Sequence, residues 1–363
     1  MSTKTHPLQT WPGLVETVRE LWTVDKATPT SASALSWSDT VYDRAYPAWQ
    51  RTRDRFDTHG LGRRIGRADV DGLDAMCGAF ADWDHRVGGG SARTSLVTFI
   101  SDAAGPLLSA SCDAATGRRL CSALARLLDL AGFTAFDCEA HGLAQRYYMQ
   151  ALRLARAADD HALSAHIMAD MAMQAVVLGH PGQAISLARA GHGIAEHGGS
   201  IATAARCIAM EARGQAVAGD RKATGRLVAR AERLLDTVDW TGEPKRIHFF
   251  TTTQLMTEFA YASAALGDNL RVQRLVPGIE PGTMQRRHVL LAATLASSHL
   301  DPRTPGALDT EAACAILGSV LPVATAVTSP RATAGLRAVR HRLLATSSLA
   351  ARDLLDRYAH AGI

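Results

Sequence analysis

Histidine is the side chain here with the most direct chemical use, and four of its fourteen copies fall in two pairs, His161 with His166 and His192 with His197. An α-helix turns about 100° per residue, so a helical metal pair needs a spacing of four, and the observed spacing of five points the two rings apart. These histidines read as solvent or groove residues. Asp159-Asp160 has the form of an acidic metal motif, but no second acidic motif accompanies it, and two aspartates between helices serve as a cap and a turn. No Ser or Cys carries a nucleophile-elbow or His-partner signature. Catalysis, a bound metal and a cofactor are therefore not expected.

The six cysteines, Cys77, Cys112, Cys121, Cys138, Cys207 and Cys314, form no CxxC pair. Most fall inside apolar helical patterns, as reduced core residues of a cytoplasmic protein do. The opening MSTKTHPLQTW lacks an apolar signal region, and no apolar run reaches the ~20 residues of a membrane helix, so neither export nor membrane insertion is expected. With 39 basic against 35 acidic residues and a net charge of +4, the balance is too even for a strong nucleic-acid footprint. Basic residues cluster once, as Arg51, Arg53, Arg55, Arg63, Arg64 and Arg67. That group could meet phosphate, DNA or an acidic partner, or it is a solvated face interleaved with Asp54 and Asp57. Gly88-Gly89-Gly90 ahead of a helix could cradle a phosphate on backbone amides. It lacks the P-loop lysine and a preceding strand, and glycine triplets commonly end helices.

Any such residues must be positioned by helices. Hydrophobic residues make up 47% of the chain and aromatics only 6%. Ala and Leu dominate, and few stretches show the alternation of half-buried strands, so the fold is expected to be all-α. LVETVRELW at 14–22 suits a short amphipathic helix. Residues 27–38, small and hydroxyl-rich, read as a loop or flexible linker, and 42–56 as a second helix. In 68–86, Val70, Leu73, Met76, Cys77, Phe80 and Trp83 keep helical spacing, and further helices follow at 94–108 and 116–131. Residues 1–60 thus read as N-terminal helices with a linker, and 61–363 as one repeat domain.

The repeat is clearest at 130–160. Gly132 on one helix and Ala144, Tyr148 and Ala151 on the next give the small-large-small spacing of a tetratricopeptide hairpin. Ala172 and Ala184 stand forty residues beyond Gly132 and Ala144. The turn Gly179-His180-Pro181 recurs as Gly219-Asp220-Arg221 and Gly267-Asp268-Asn269, each followed eight residues on by Leu187, Leu227 or Leu275. Hairpins that each leave an apolar face exposed must stack, and stacking predicts a right-handed α-solenoid with a concave groove.

Laid out in this way, the chain resembles the sensory part of actinobacterial helix-turn-helix regulators of the xenobiotic-response-element type. The resemblance rests on GRRIGRADV (62–70), WDHRVGGGSAR (83–93), HGLAQRYYMQALRLA (141–155), AMEAR (209–213) and GLRAVRHRL (335–343). It implies a regulatory or signalling protein acting through protein–protein contact in a groove lined by the first helix of each hairpin. On those helices His166, Asp170 and Gln174 form one polar face, and Arg206, Glu211, Arg213, Gln254 and Glu258 are comparable. They contact a partner, or they are solvated and internally paired. In that family a DNA-binding domain precedes the segment resembling LVETVRELW, and this sequence starts almost at that point, so direct DNA binding is not expected. The leading expectation is a cytoplasmic regulator that binds a peptide or protein, such as a transcription factor, with homodimers open. Transcriptional regulation through the arginine cluster or a partner, and an all-α enzyme or small-molecule sensor with an internal pocket, are the alternatives.

Overall fold

Each helix in the middle of the chain starts and stops for a local reason. A residue with positive φ ends one helix, at Glu139, Asp159, Gly179, Gly199, Gly219 and Gly267. A cap then opens the next: the side chains of Asp160, Ser200, Asp220 and Asp268 accept from the amides of Leu163, Thr203, Ala223 and Arg271. From 139 to 219 the positive-φ residues fall every 20 residues, so the hairpin period of forty is two equal helices with equal turns. Glu139 and Asp159 adopt this conformation without glycine, which hides half of the period from a reading based on glycines.

The computed structural model describes residues 11–51, 56, 62–279, 282, 284–304, 308–346 and 348–362. Among them the fold is all-α: no strand forms, and Arg64 and Ser111 make a lone bridge. The order is α1 (Trp11–Ala27), α2 (Pro29–Ser33), α3 (Asp39–Asp43), α4 (Ala45–Arg51), α5 (Arg67–Val87) and α6 (Gly89–Phe99). After a π turn and a 3₁₀ turn come α7 (Ala114–Asp137), α8 (His141–Ala157), α9 (His161–Val177), α10 (Pro181–His197), α11 (Ile201–Val217) and α12 (Arg221–Leu235). The chain finishes with α13 (Thr252–Ala265), α14 (Asn269–Leu275), α15 (Gln285–His299), α16 (Thr310–Ala326), α17 (Pro330–Leu344) and α18 (Leu349–His360). No helix is long and apolar enough to cross a membrane.

Short turns make successive helices antiparallel neighbours. The odd-numbered helices α7, α9, α11, α13, α15 and α17 also touch one another in series, forming an inner layer. At the α7–α8 junction, Ala144, Tyr148 and Ala151 are fully buried, and a Cβ on Gly132 would lie 2.8 Å from the Tyr148 ring. Glycine is what lets the two helices close over that ring.

The two ends of the inner layer meet. Helix α15 packs on α5, and α17 on α7. Arg286 on α15 donates to both oxygens of Asp84 on α5, at 2.8 and 2.9 Å, and to Asp137 at the end of α7, at 3.2 Å. The glycine triplet takes part in this closure. Gly89 N donates to Asp137 Oδ2 (3.0 Å) and Gly90 N to the Thr328 carbonyl (2.9 Å), so a carboxylate and a carbonyl of the protein itself occupy the amides that could have cradled a phosphate.

The segment expected to be a flexible linker is instead a docked strap. Gln145 clamps the backbone of Ser38, accepting from its amide (3.1 Å) and donating to its carbonyl (2.7 Å), while Arg146 donates to the Ser36 carbonyl. Tyr42 is buried and its hydroxyl donates to Gln174. Small side chains give this stretch little apolar area of its own. The side-chain clamp satisfies its backbone, and the flanking aromatics supply the burial. The helix expected over 42–56 is two short helices, α3 and α4, up to Arg51; Arg53 and Arg55 lie outside the described residues. The main core runs without a break from Trp11 to Phe259.

Candidate functional site: a chamber inside the helical layer

The inner helices line a half-open cavity of about 730 Å³. Its wall is built from α5, α7, α9, α11, α13, α15, the first turn of α17 and the connection before α13. None of α8, α10, α12, α14, α16 or α18 contributes to it. Apolar ground comes from Leu130, Leu163, Met173 and Leu290 and the rings of Phe133, Phe249 and Tyr261. Cations are set against those rings: Arg206 lies 5.4 Å from the Phe249 centroid, Arg213 5.0 Å from Tyr261 and Arg286 4.7 Å from Phe133. Ring faces fix the guanidinium planes and leave their edges for hydrogen bonding.

Ion pairs connect the wall across helices. Arg206 donates to Asp170 at 2.5 Å, and Arg213 to Glu258 at 2.9 Å. Gln254 donates to Glu258 and accepts from Arg287, so α11, α13 and α15 share one polar chain. Arg126 and Arg246 reach out of the chamber to Asp74 and Asp160. Burial pushes the Asp137 carboxyl up, yet Arg286, Arg331, the Gly89 amide and Ser329 together hold it below its usual value.

At the α7–α9 wall, His166 Nε2 lies 3.3 Å from Asp170 Oδ2 and 3.6 Å from Asp129 Oδ2. Burial, with the neighbouring Asp170, pushes the Asp129 carboxyl well above the usual range. Burial raises Asp170 too, against the pull of Arg206. Burial and then Arg206, Arg246 and Arg126 depress His166 well below 6.5. The folded protein thus holds this imidazole neutral, whereas the unfolded chain takes a proton below about 6.5. A histidine depressed in the fold gives stability that is present above its unfolded value and lost as the pH falls. His85 and His141, also depressed by burial, add the same sign. Asp129 and Asp170 carry the opposite sign, their contributions being lost as the pH rises towards their raised values. From pH 7 to pH 5 the urea denaturation midpoint of the parent is therefore expected to fall relative to that of His166→Gln. An equal fall in both proteins would contradict the buried neutral imidazole.

Of the residues singled out from sequence, His166, Asp170, Arg206, Arg213, Gln254 and Glu258 line the chamber, whereas Gln174 and Glu211 do not. Gln174 is buried, donates to the His141 carbonyl and accepts from Tyr42, so it anchors the strap. Glu211 pairs with Arg189 of α10. The reason is rotation along the helix: Gln174 is about 80° round α9 from His166, and Glu211 about 140° round α11 from Arg206. Sequence reasoning missed Asp129, Arg126, Arg246, Arg286, Arg287 and Arg331, which reach the chamber from other helices and from the α12–α13 connection. One local signal was available, since His166 and Asp170 are four apart on one helix face.

Asp160 caps α9 and Asp159 takes the turn. His161 and His197 come together on the outer side with ring centroids 4.9 Å apart. In the N-terminal arginine cluster, Arg51, Arg63, Arg64 and Arg67 are exposed, and Arg63 pairs with Asp69 at 2.7 Å. Cys77 is the cysteine on the chamber wall, and burial pushes its thiol up, away from a nucleophilic thiolate. The cysteines are all unpaired. Comparison with models of protein families, with curated proteins and with solved structures finds no match.

Proposed function

We propose that this chain is a regulatory binding protein, a solenoid of tetratricopeptide-like hairpins whose inner chamber takes a short peptide, or a short segment of a partner protein, through one anionic group. The observation that carries the reading is the chamber itself: apolar and aromatic ground, with guanidinium groups held on ring faces and turned inward. Its volume of about 730 Å³ is that of a small ligand pocket rather than a broad protein interface, which limits the occupant to a few residues.

Charge limits it further. Eight cationic side chains line the wall, five carboxylates line it with them, and Asp74, Asp137 and Asp160 pair with the cations from behind. Eight carboxylates thus oppose eight cations, and burial with the neighbouring Asp170 raises the Asp129 carboxyl, which tips the balance towards positive charge. That suits a terminal carboxylate or one acidic side chain. Arg213 is the group we assign to receive it, because a guanidinium has five donors and its bond to Glu258 occupies one. Closure of the chamber by α5 and α15 supports a small organic acid as the second reading.

A synthetic library of short peptides, with free and with amidated C termini, tests the proposal against the purified protein. Enrichment of peptides carrying one carboxylate is expected, with at least ~10-fold weaker binding to Arg213→Gln, the size of one charge-assisted hydrogen bond. No enrichment, or equal binding by the variant, would overturn it. Binding of small organic acids in place of every peptide would favour the second reading.

A further inference from the structure

We propose that Asp129, His166 and Asp170 form a binding site for one divalent first-row transition cation, with its remaining coordination positions open to the chamber. One donor atom from each residue lies within 4.8 Å of the other two. Of the His166 Nε2 separations, 3.3 Å falls within and 3.6 Å just beyond the ~3.0–3.5 Å between donors that each sit about 2.1 Å from a shared ion. His166 and Asp170 are one turn apart on α9, and Asp129 faces them from α7.

A second observation is independent of this spacing. Asp129 is 8% exposed, and its Oδ1 is buried with no hydrogen-bond partner among the described residues. Among the described residues its Oδ2 has only the imidazole, at 3.6 Å. A buried carboxylate without a donor is costly, and one oxygen of this group lies within 4.8 Å of the two other donors, where a cation would satisfy it.

The donor set selects the class of ion. One imidazole nitrogen with two carboxylate oxygens suits Zn²⁺, Mn²⁺ or Fe²⁺, whereas Ca²⁺ and Mg²⁺ prefer all-oxygen surroundings. Three guanidiniums face the cluster and oppose any cation, but each is bound to a carboxylate: Arg206 to Asp170 Oδ1, Arg246 to Asp160 and Arg126 to Asp74. Together with ionised Asp129, four carboxylates then face three guanidiniums, leaving one negative charge for the ion to reverse. A bound ion would strengthen the chamber's attraction for an anion. The site nevertheless stands independently of the peptide reading, because the metal alone probes it.

Protein stripped with a chelator is titrated with Zn²⁺ and with Mn²⁺ by calorimetry at pH 7, and stoichiometry is read by native mass spectrometry. One equivalent is expected to bind. Asp129→Asn and His166→Gln should each weaken it at least ~10-fold. Asp129→Asn should leave the metal-free denaturation midpoint unchanged or raised, since that carboxylate has no hydrogen bond to lose. A variant lacking the outer pair, His161→Ala with His197→Ala, should bind as the parent does. No saturable equivalent, one that survives in both chamber variants, or one lost with the outer pair would overturn the proposal. Pulsed electron paramagnetic resonance on the Mn²⁺ form of the unmutated protein decides the matter if a variant fails to fold. One imidazole nitrogen coupling is expected, and its absence would overturn the site.

Discussion

Arg286→Met is expected to lower the stability of this protein by about 3–5 kcal/mol, the usual cost of removing one member of a buried ion pair. Arg286 is 7% exposed and is the sole described hydrogen-bond partner of the Asp84 carboxylate, itself 1% exposed. Asp137 would keep Gly89, Ser329 and Arg331, so the loss falls mainly on Asp84. Chemical denaturation of Arg286→Met, Asp84→Asn and the double variant separates the terms. The double variant should recover a large part of the loss, because it no longer buries an unpaired charge. A loss below about 1 kcal/mol would show that α5 and α15 are not held together by this pair.

The second large effect concerns the α7–α8 hairpin. Tyr148 is fully buried against Gly132, and its hydroxyl has no hydrogen-bond partner among the described residues. Tyr148→Ala should therefore cost about 3–5 kcal/mol through the cavity it leaves. Tyr148→Phe removes only an unsatisfied hydroxyl and should be neutral or stabilising. Thermal and urea unfolding of the two variants side by side would measure this. A loss in Tyr148→Phe equal to that in Tyr148→Ala would mean that the hydroxyl, not ring packing, holds the hairpin.

What could be read from the sequence was local. Helix content follows from Ala- and Leu-rich segments, and the turns at Gly179, Gly219 and Gly267 from a glycine followed by a cap or by Pro181. The turn at Asp159 was legible from its Asp-Asp pair, whereas the equal turn at Glu139 escaped because that residue takes the left-handed conformation without the usual marker. Non-local features escaped more completely. Residues 34–38 have no reason of their own to be ordered, and their order comes from Gln145, more than a hundred residues away. The chamber shows the same division: His166 and Asp170 announce themselves by spacing on one helix, while Asp129, Arg246 and Arg286 join them only through packing. Gln174 shares the spacing but has rotated out of the wall, which a polar face drawn at four-residue steps does not register.

On the proposed reading, function resides on the inner layer and not on the outer helices or the N-terminal arginines. Hydrogen–deuterium exchange with and without a selected carboxylate-bearing peptide tests it most directly. Slower exchange is predicted in α9, α11 and α13 around His166, Arg213 and Glu258, with α8, α10 and residues 62–67 unchanged. Protection confined to α8, α10 or residues 62–67, with the inner helices unaffected, would contradict the account.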